Sequence, residues 1–235
     1  MDWDAIQRKY PEDADGIDKA RRIHASVAEK VRRLEILNTD AALSAGGIVE
    51  ALPYSLLAGI CREVWADVMG GEPDADFEKA LKAFAADEPF PDPGQEIQDV
   101  LPMFLRPVVT EYLKALREKS DTPAEALPGN GTCPFCGTYP RIALDSETSR
   151  DLACLSCGKQ WRFKRVRCPF CGNADHNTLG YFDMEGLEGV RVQYCSECRH
   201  YLKVVDTRKR MVCDAETEDV LSLDLDAAAQ QEGYL

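Results

Sequence analysis

Eight cysteines arranged as four Cys-x-x-Cys pairs constrain this chain more than any other feature. The pairs are Cys133/Cys136, Cys154/Cys157, Cys168/Cys171 and Cys195/Cys198, all in the second half of 235 residues. Two intervening residues let both sulfurs of a pair reach one ion about 2.3 Å away, and two pairs complete a tetrahedron of thiolates. The pattern therefore predicts two metal ions. Spacing alone does not choose the metal, because tetrahedral sulfur suits zinc or iron. The paired cysteines are read as ligands before disulfides because the N-terminus, Met-Asp-Trp-Asp-Ala-Ile-Gln-Arg, lacks the basic and apolar regions of a secretory signal.

The cysteine region repeats. Cys133-Pro-Phe-Cys-Gly137 recurs word for word at Cys168-Pro-Phe-Cys-Gly172, and each copy is followed by a second pair. The repeat predicts two tandem modules, residues 128–167 and 168–213. It favours four ligands within each module: Cys133, Cys136, Cys154 and Cys157 for one ion, and Cys168, Cys171, Cys195 and Cys198 for the other. A cross-braced scheme joining the first and third pairs is the alternative. A module of about 40 residues buries too little apolar surface to fold alone. Ion binding, worth roughly 10–16 kcal/mol in small zinc peptides, supplies the difference. Glycine follows three of the four pairs and accepts the positive φ of a tight turn. Arg199 follows the fourth, so that turn either differs or brings a cation near the sulfurs. Lys159, Arg162, Lys164, Arg165 and Arg167 could offset the charge of −2 on a four-thiolate divalent site.

The first half has a different texture. Ile17, Ala20, Ile23, Val27, Val31 and Leu34 recur at helical spacing over 16–37. Further helices are expected from Asp40, with Pro53 as a kink or break, from Ser55 to about Met69, from Asp74 or Asp76 through Phe84, and from Gln95 to Lys119 with a kink at Pro107. This makes a helical domain over 1–120. A Pro- and Gly-rich linker covers 121–132. Beyond it, short β-like segments such as Arg141–Leu144, Trp161–Val166 and Val190–Tyr194 read as strands. Residues 214–235 form an acidic tail, with a strand or turn before a short helix near Asp226–Glu232. The fold class is α+β: a helical domain, then two small rubredoxin-like or zinc-ribbon β modules.

Net charge is −13. It sits on the flanks: −10 over residues 1–125 and −7 over 214–235, against +4 over 126–213. That balance argues against general affinity for nucleic acid or anionic lipid. The most apolar stretch, 41–60, is interrupted by Glu50, Pro53 and three glycines, so no membrane span is expected. A cytoplasmic protein is expected. Cys61 and Cys213 read as core residues, His176 and His200 as bystanders or as donors to the groups around the ligand sulfurs, and His24 as a solvated or core-edge side chain. The sequence holds no Gly-rich phosphate loop, serine-nucleophile motif or His-Glu-x-x-His, so an enzyme is not indicated.

The order of residues around the pairs resembles the formate dehydrogenase accessory protein family, FdhE. The resemblance runs from Cys133-Pro-Phe-Cys-Gly-Thr-Tyr-Pro through Arg150-Asp-Leu-Ala-Cys-Leu-Ser-Cys, Trp161, Arg165 and Cys168-Pro-Phe-Cys-Gly. It resumes at Val190-Arg-Val-Gln-Tyr-Cys-Ser-Glu-Cys-Arg-His-Tyr-Leu-Lys, then Asp206 and Asp219-Val-Leu-Ser-Leu-Asp-Leu-Asp, and ends at Gly233-Tyr234. It covers about residues 130–235. It implies a cytoplasmic assembly factor that binds the catalytic subunit of a respiratory formate dehydrogenase. It also implies rubredoxin-like modules with iron as the favoured ion and the eight paired cysteines as ligands. Arg165 and Asp206 are candidate partner contacts. Two other readings remain at this point. One is electron transfer through iron. The other is a zinc ribbon binding nucleic acid through Lys159–Arg167, with Trp161 and Phe163 stacking on bases.

Overall fold

A computed structural model of the chain describes residues 1–34, 52–86, 88–90, 99–120, 131–212 and 214–235. Its helices are α1 (Trp3–Lys9), α2 (Ala14–Arg32), α3 (Tyr54–Val68), α4 (Phe77–Ala86), α5 (Leu101–Glu118), α6 (Ala215–Val220) and α7 (Leu223–Gln231). Its strands are β1 (Ile142–Asp145), β2 (Arg150–Ala153), β3 (Gln160–Phe163), β4 (Leu179–Asp183), β5 (Val190–Cys195) and β6 (Tyr201–Asp206). The chain divides into two compact units, Glu12–Asp121 and a second made of Met1–Pro11 with Thr122–Leu235.

In the helical unit, α2 packs on α3 and α5, and α3 packs on α4. The stripe read from the sequence is the buried one: Ile17, Ile23, Val27 and Val31 face inward from α2. Leu57, Cys61 and Val64 of α3, Phe77 and Leu81 of α4, and Phe104 and Val108 of α5 are all fully buried where these helices pack. Trp65 lies between Phe77 and Phe104, with ring centroids 6.1 and 4.9 Å away. Pro53 is the N-cap of α3, in keeping with a break there, and Gly70 and Gly71 take positive φ just past its end. Asp76 opens α4, its Oδ1 accepting from the Glu78 and Lys79 backbone N–H groups at 3.2 Å each. Pro107 lies inside an unbroken α5. The expected cap at Asp40, the start at Gln95 and nearly all of the 121–132 linker lie outside the described residues.

In the other unit both cysteine modules merge into one six-stranded sheet, ordered β3-β2-β1-β6-β5-β4. Each module is an antiparallel three-strand meander. They join where β1 pairs parallel with β6, Ile142 opposite Lys203 through Asp145 opposite Asp206. The tail holds two helices where a strand or turn and one helix were expected. Leu225 and Ala229 of α7 are buried with Ile142, Val190, Val192 and Val205 of the sheet. The first residues belong here as well. Asp2 caps α1 by accepting from Ala5 N at 2.9 Å and donates its own backbone N–H to Thr217 Oγ1 at 2.6 Å. Tyr10 donates its hydroxyl to the Val220 carbonyl at 3.1 Å.

A charged cluster fastens the tail helices. Lys203 of β6 is fully buried. Its ammonium lies 2.6 Å from Asp219 Oδ1 and 2.7 Å from Asp226 Oδ2, and donates to the Asp219 carbonyl at 2.9 Å. Tyr201 donates to the other oxygen of Asp226 at 2.7 Å. A second charged side chain links the modules. Arg150 of β2, also buried, holds Asp145 through two bonds of 2.7 and 2.9 Å and donates to Gln193 of β5.

Candidate metal centres

The four cysteine pairs build four copies of one turn. In each, the first cysteine's carbonyl accepts from the residue after the pair: Gly137, Gly158, Gly172 and Arg199, at 2.9–3.0 Å. Its N–H donates to the carbonyl one residue further on: Thr138, Lys159, Asn173 and His200, at 2.8–3.0 Å. The turn demands a left-handed residue after the pair. The three glycines supply φ of 69–77°, and Arg199 adopts φ of 60° despite its side chain. Neither outcome expected for that turn is what the structure shows: the conformation is the same, and the Arg199 side chain is engaged by residues 232–234. The Arg199 guanidinium donates to the Glu232 and Gly233 carbonyls at 2.7 and 3.1 Å and lies over the Tyr234 ring, 4.2 Å from its centroid.

The first and second pairs converge, as do the third and fourth. Cys133, Cys136, Cys154 and Cys157 form one group and Cys168, Cys171, Cys195 and Cys198 the other, with all sulfurs of a group within 4.8 Å of one another. Sulfur separations are 3.6 Å for Cys133–Cys157, 3.4 Å for Cys136–Cys154, 3.6 Å for Cys168–Cys198 and 3.8 Å for Cys171–Cys195. Four sulfurs about 2.3 Å from a central ion stand about 3.8 Å apart, whereas a disulfide needs about 2.05 Å. The geometry suits a tetrahedral soft cation in each group. The sulfurs also perturb one another's protonation: the Cys133 and Cys154 thiols are pushed down. Neighbouring sulfurs, and after them burial, push the Cys136 and Cys157 thiols up, since adjacent buried thiolates repel. Burial likewise raises Cys198, to about 11. At Cys195 burial is outweighed by bonds from the Asn173 amide and the Cys198 and Glu197 N–H groups, and its thiol falls to about 7. Each group could hold one metal ion, zinc or iron.

Two neighbours of the sulfurs escaped the sequence reading. Thr138 Oγ1 lies 3.1 Å from both Cys136 and Cys154 sulfurs, and Asn173 Nδ2 lies 3.5 Å from the Cys195 sulfur. Their signal was present: each follows the glycine of the repeated Cys-Pro-Phe-Cys-Gly word. His200 Nδ1 is 2.8 Å from the Cys198 carbonyl, and its ring stacks on Phe170 at 4.8 Å. His176 is exposed, 3.9 Å from Asp175. Cys61 is a core residue whose thiol burial pushes up to about 12, and Cys213 lies outside the described residues. His24 sits at the edge of the helical core, and burial lowers it to about 4.

The two candidate partner contacts are both engaged within the chain. Arg165 donates to the Ser146 and Ser149 carbonyls, and 38% of its side chain is exposed. Asp206 is buried and takes two bonds of 2.7 Å from Arg208, which lower its carboxyl to about 2.

Residues 166–235 match the family described as FdhE, C-terminal domain. That stretch resembles an FdhE C-terminal domain. Its curated relatives agree. A "Protein FdhE homolog" of Aquifex aeolicus is 34% identical over 108 residues, 44% of this chain and 38% of the relative. "Protein FdhE" of Escherichia coli O127:H6 is 31% identical over 107 residues, 43% of this chain and 34% of the relative. The matched stretch thus spans little more than a third of the length of these relatives. The crystal structure of the FdhE protein from Pseudomonas aeruginosa superposes with a TM-score of 0.69 over 99% of this chain and 91% of that one, at 18% identity. This establishes a shared fold, α+β as expected. Among the described residues no helix is long and apolar enough to cross a membrane.

Proposed function

We propose that this chain is a metal-binding accessory protein for a respiratory formate dehydrogenase, acting in the cytoplasm on the catalytic subunit. The observation that carries the reading is the coincidence of two tetrahedral four-cysteine groups with an FdhE C-terminal domain. The eight paired cysteines would hold the ions. Zinc would supply rigidity, and iron would add a one-electron couple tuned by hydrogen bonds to sulfur. Thr138 and Asn173 are placed to donate such bonds. Arg165 is the more accessible of the two proposed partner contacts, and Asp206 would act by shaping the loop after β6.

The test is co-purification from the native host. Tagged full-length protein is expected to bring down the catalytic subunit of formate dehydrogenase, identified by mass spectrometry. The catch should fall when Cys133→Ser removes a ligand. Failure to recover that subunit under crosslinking would overturn the reading.

A further inference from the structure

The two cysteine groups share a plan but not an environment. In the first, every sulfur-bearing residue is buried: Cys133 is 3% exposed, Cys136 6%, Cys154 2% and Cys157 0%. The Thr138 hydroxyl adds a further cover between two of its sulfurs. In the second, Cys168 and Cys195 are buried, but Cys171 is exposed and Cys198 partly so. The inequality is surprising in a word-for-word repeat, since Cys136 and Cys171 hold the same place in it.

The second group also has the less secure turn. The chain's fourth cysteine pair, the second of this group, is followed by Arg199, a left-handed residue with a side chain, a conformation that glycine adopts far more easily. The last residues of the chain hold it in place. Leu235 N–H donates to the Arg199 carbonyl at 2.7 Å, and the Arg199 guanidinium is bound to Glu232, Gly233 and Tyr234. No such clasp is required at the turn after Cys157, where Gly158 takes the same φ without penalty.

Ligand exchange at a four-thiolate ion begins when an incoming donor reaches the ion or replaces an accessible sulfur, so access sets the rate. From the exposure of Cys171 and Cys198, we infer that the second group is an exchange-competent metal centre. It gives up and accepts a soft divalent cation through its Cys171/Cys198 side, to small thiols or nitrogen chelators. The first group retains its ion as part of the fold. The inference rests on the metal-binding part of the function proposed above and is independent of any formate dehydrogenase partner.

The test uses full-length protein loaded anaerobically with zinc and counted by native mass spectrometry. Challenge with 4-(2-pyridylazo)resorcinol should release one zinc at least about tenfold faster than the other. Cys171→Ser should remove the fast phase and leave one slowly released ion. A second measurement does not depend on any variant folding. Under limiting N-ethylmaleimide, the first adducts of the zinc-loaded wild type should map to Cys171 and then Cys198. Two ions lost in a single phase, or first labelling at Cys133, Cys136, Cys154 or Cys157, would overturn the inference while leaving metal binding intact. Protein that binds no zinc or iron would overturn metal binding itself, and this inference with it.

Discussion

Replacing Lys203 by methionine probes the joint between sheet and tail more sharply than any other change. Methionine keeps most of the apolar stem and deletes the ammonium. What is left is two carboxylates, Asp219 with 16% of its side chain exposed and Asp226 with 10%, that lose their shared cation. Removing one partner of a buried ion pair typically costs about 3–5 kcal/mol, because the remaining charge is neither solvated nor paired. Partial exposure of Asp219 lets water reach it, so the expected loss lies at the lower end, about 3 kcal/mol. The measurement is the urea midpoint of zinc-loaded protein, followed by a probe of the sheet unit. A control separates stranded charge from lost packing: Lys203→Met with Asp226→Asn should regain at least about 1 kcal/mol, since a neutral amide is cheaper to bury than a carboxylate. A loss below about 1 kcal/mol for the single variant, or no recovery in the double, would refute the claim that this cluster holds α6 and α7 on the sheet.

Two other outcomes follow from the geometry. His24 falls from 6.5 to about 4 because burial disfavours its charged form, so the unfolded chain binds a proton that the folded chain refuses between those values. Its contribution is fully present above pH 6.5 and is lost as pH falls toward 4. At about 1.4 kcal/mol per unit it amounts to up to about 3 kcal/mol. His24→Gln should flatten the stability slope of the helical unit between pH 7 and 4.5 relative to wild type, and an unchanged slope would remove burial as the cause. Thr138→Val keeps the shape but deletes the hydroxyl beside the Cys136 and Cys154 sulfurs. Competition against a zinc buffer should show affinity at the first centre weakened by about 10- to 100-fold, the usual cost of an outer-shell bond, with the second centre unchanged.

The helical stripe of α2 was readable because burying one face of an α-helix leaves a 3.6-residue trace in the sequence. β1, β3 and β5 were readable as short β-like segments. β2 escaped, since it opens on the charged pair Arg150-Asp151; its burial rests on Arg150 finding Asp145 across the β1–β2 hairpin and Gln193 from the other module. β6 escaped for a related reason. Lys203 reads as a surface residue until Asp219 and Asp226, far along the chain, arrive to neutralise it.

The grouping of the cysteines was legible in the spacing and the repeat, since two intervening residues and a turn-forming glycine are local requirements that any fold must meet. Whether the two modules would stand apart was not. Pairing β1 with β6 joins residues some sixty positions apart, and backbone hydrogen bonds carry no side-chain signature. The sequence by itself therefore determined where sulfur could meet a cation. Tertiary structure alone decided that the centres share one sheet, that the tail and the first eleven residues pack with it, and that one cysteine group is enclosed while its twin is open at Cys171 and partly at Cys198. Exposure depends on what the rest of the chain lays over a residue, and identical local words cannot encode it.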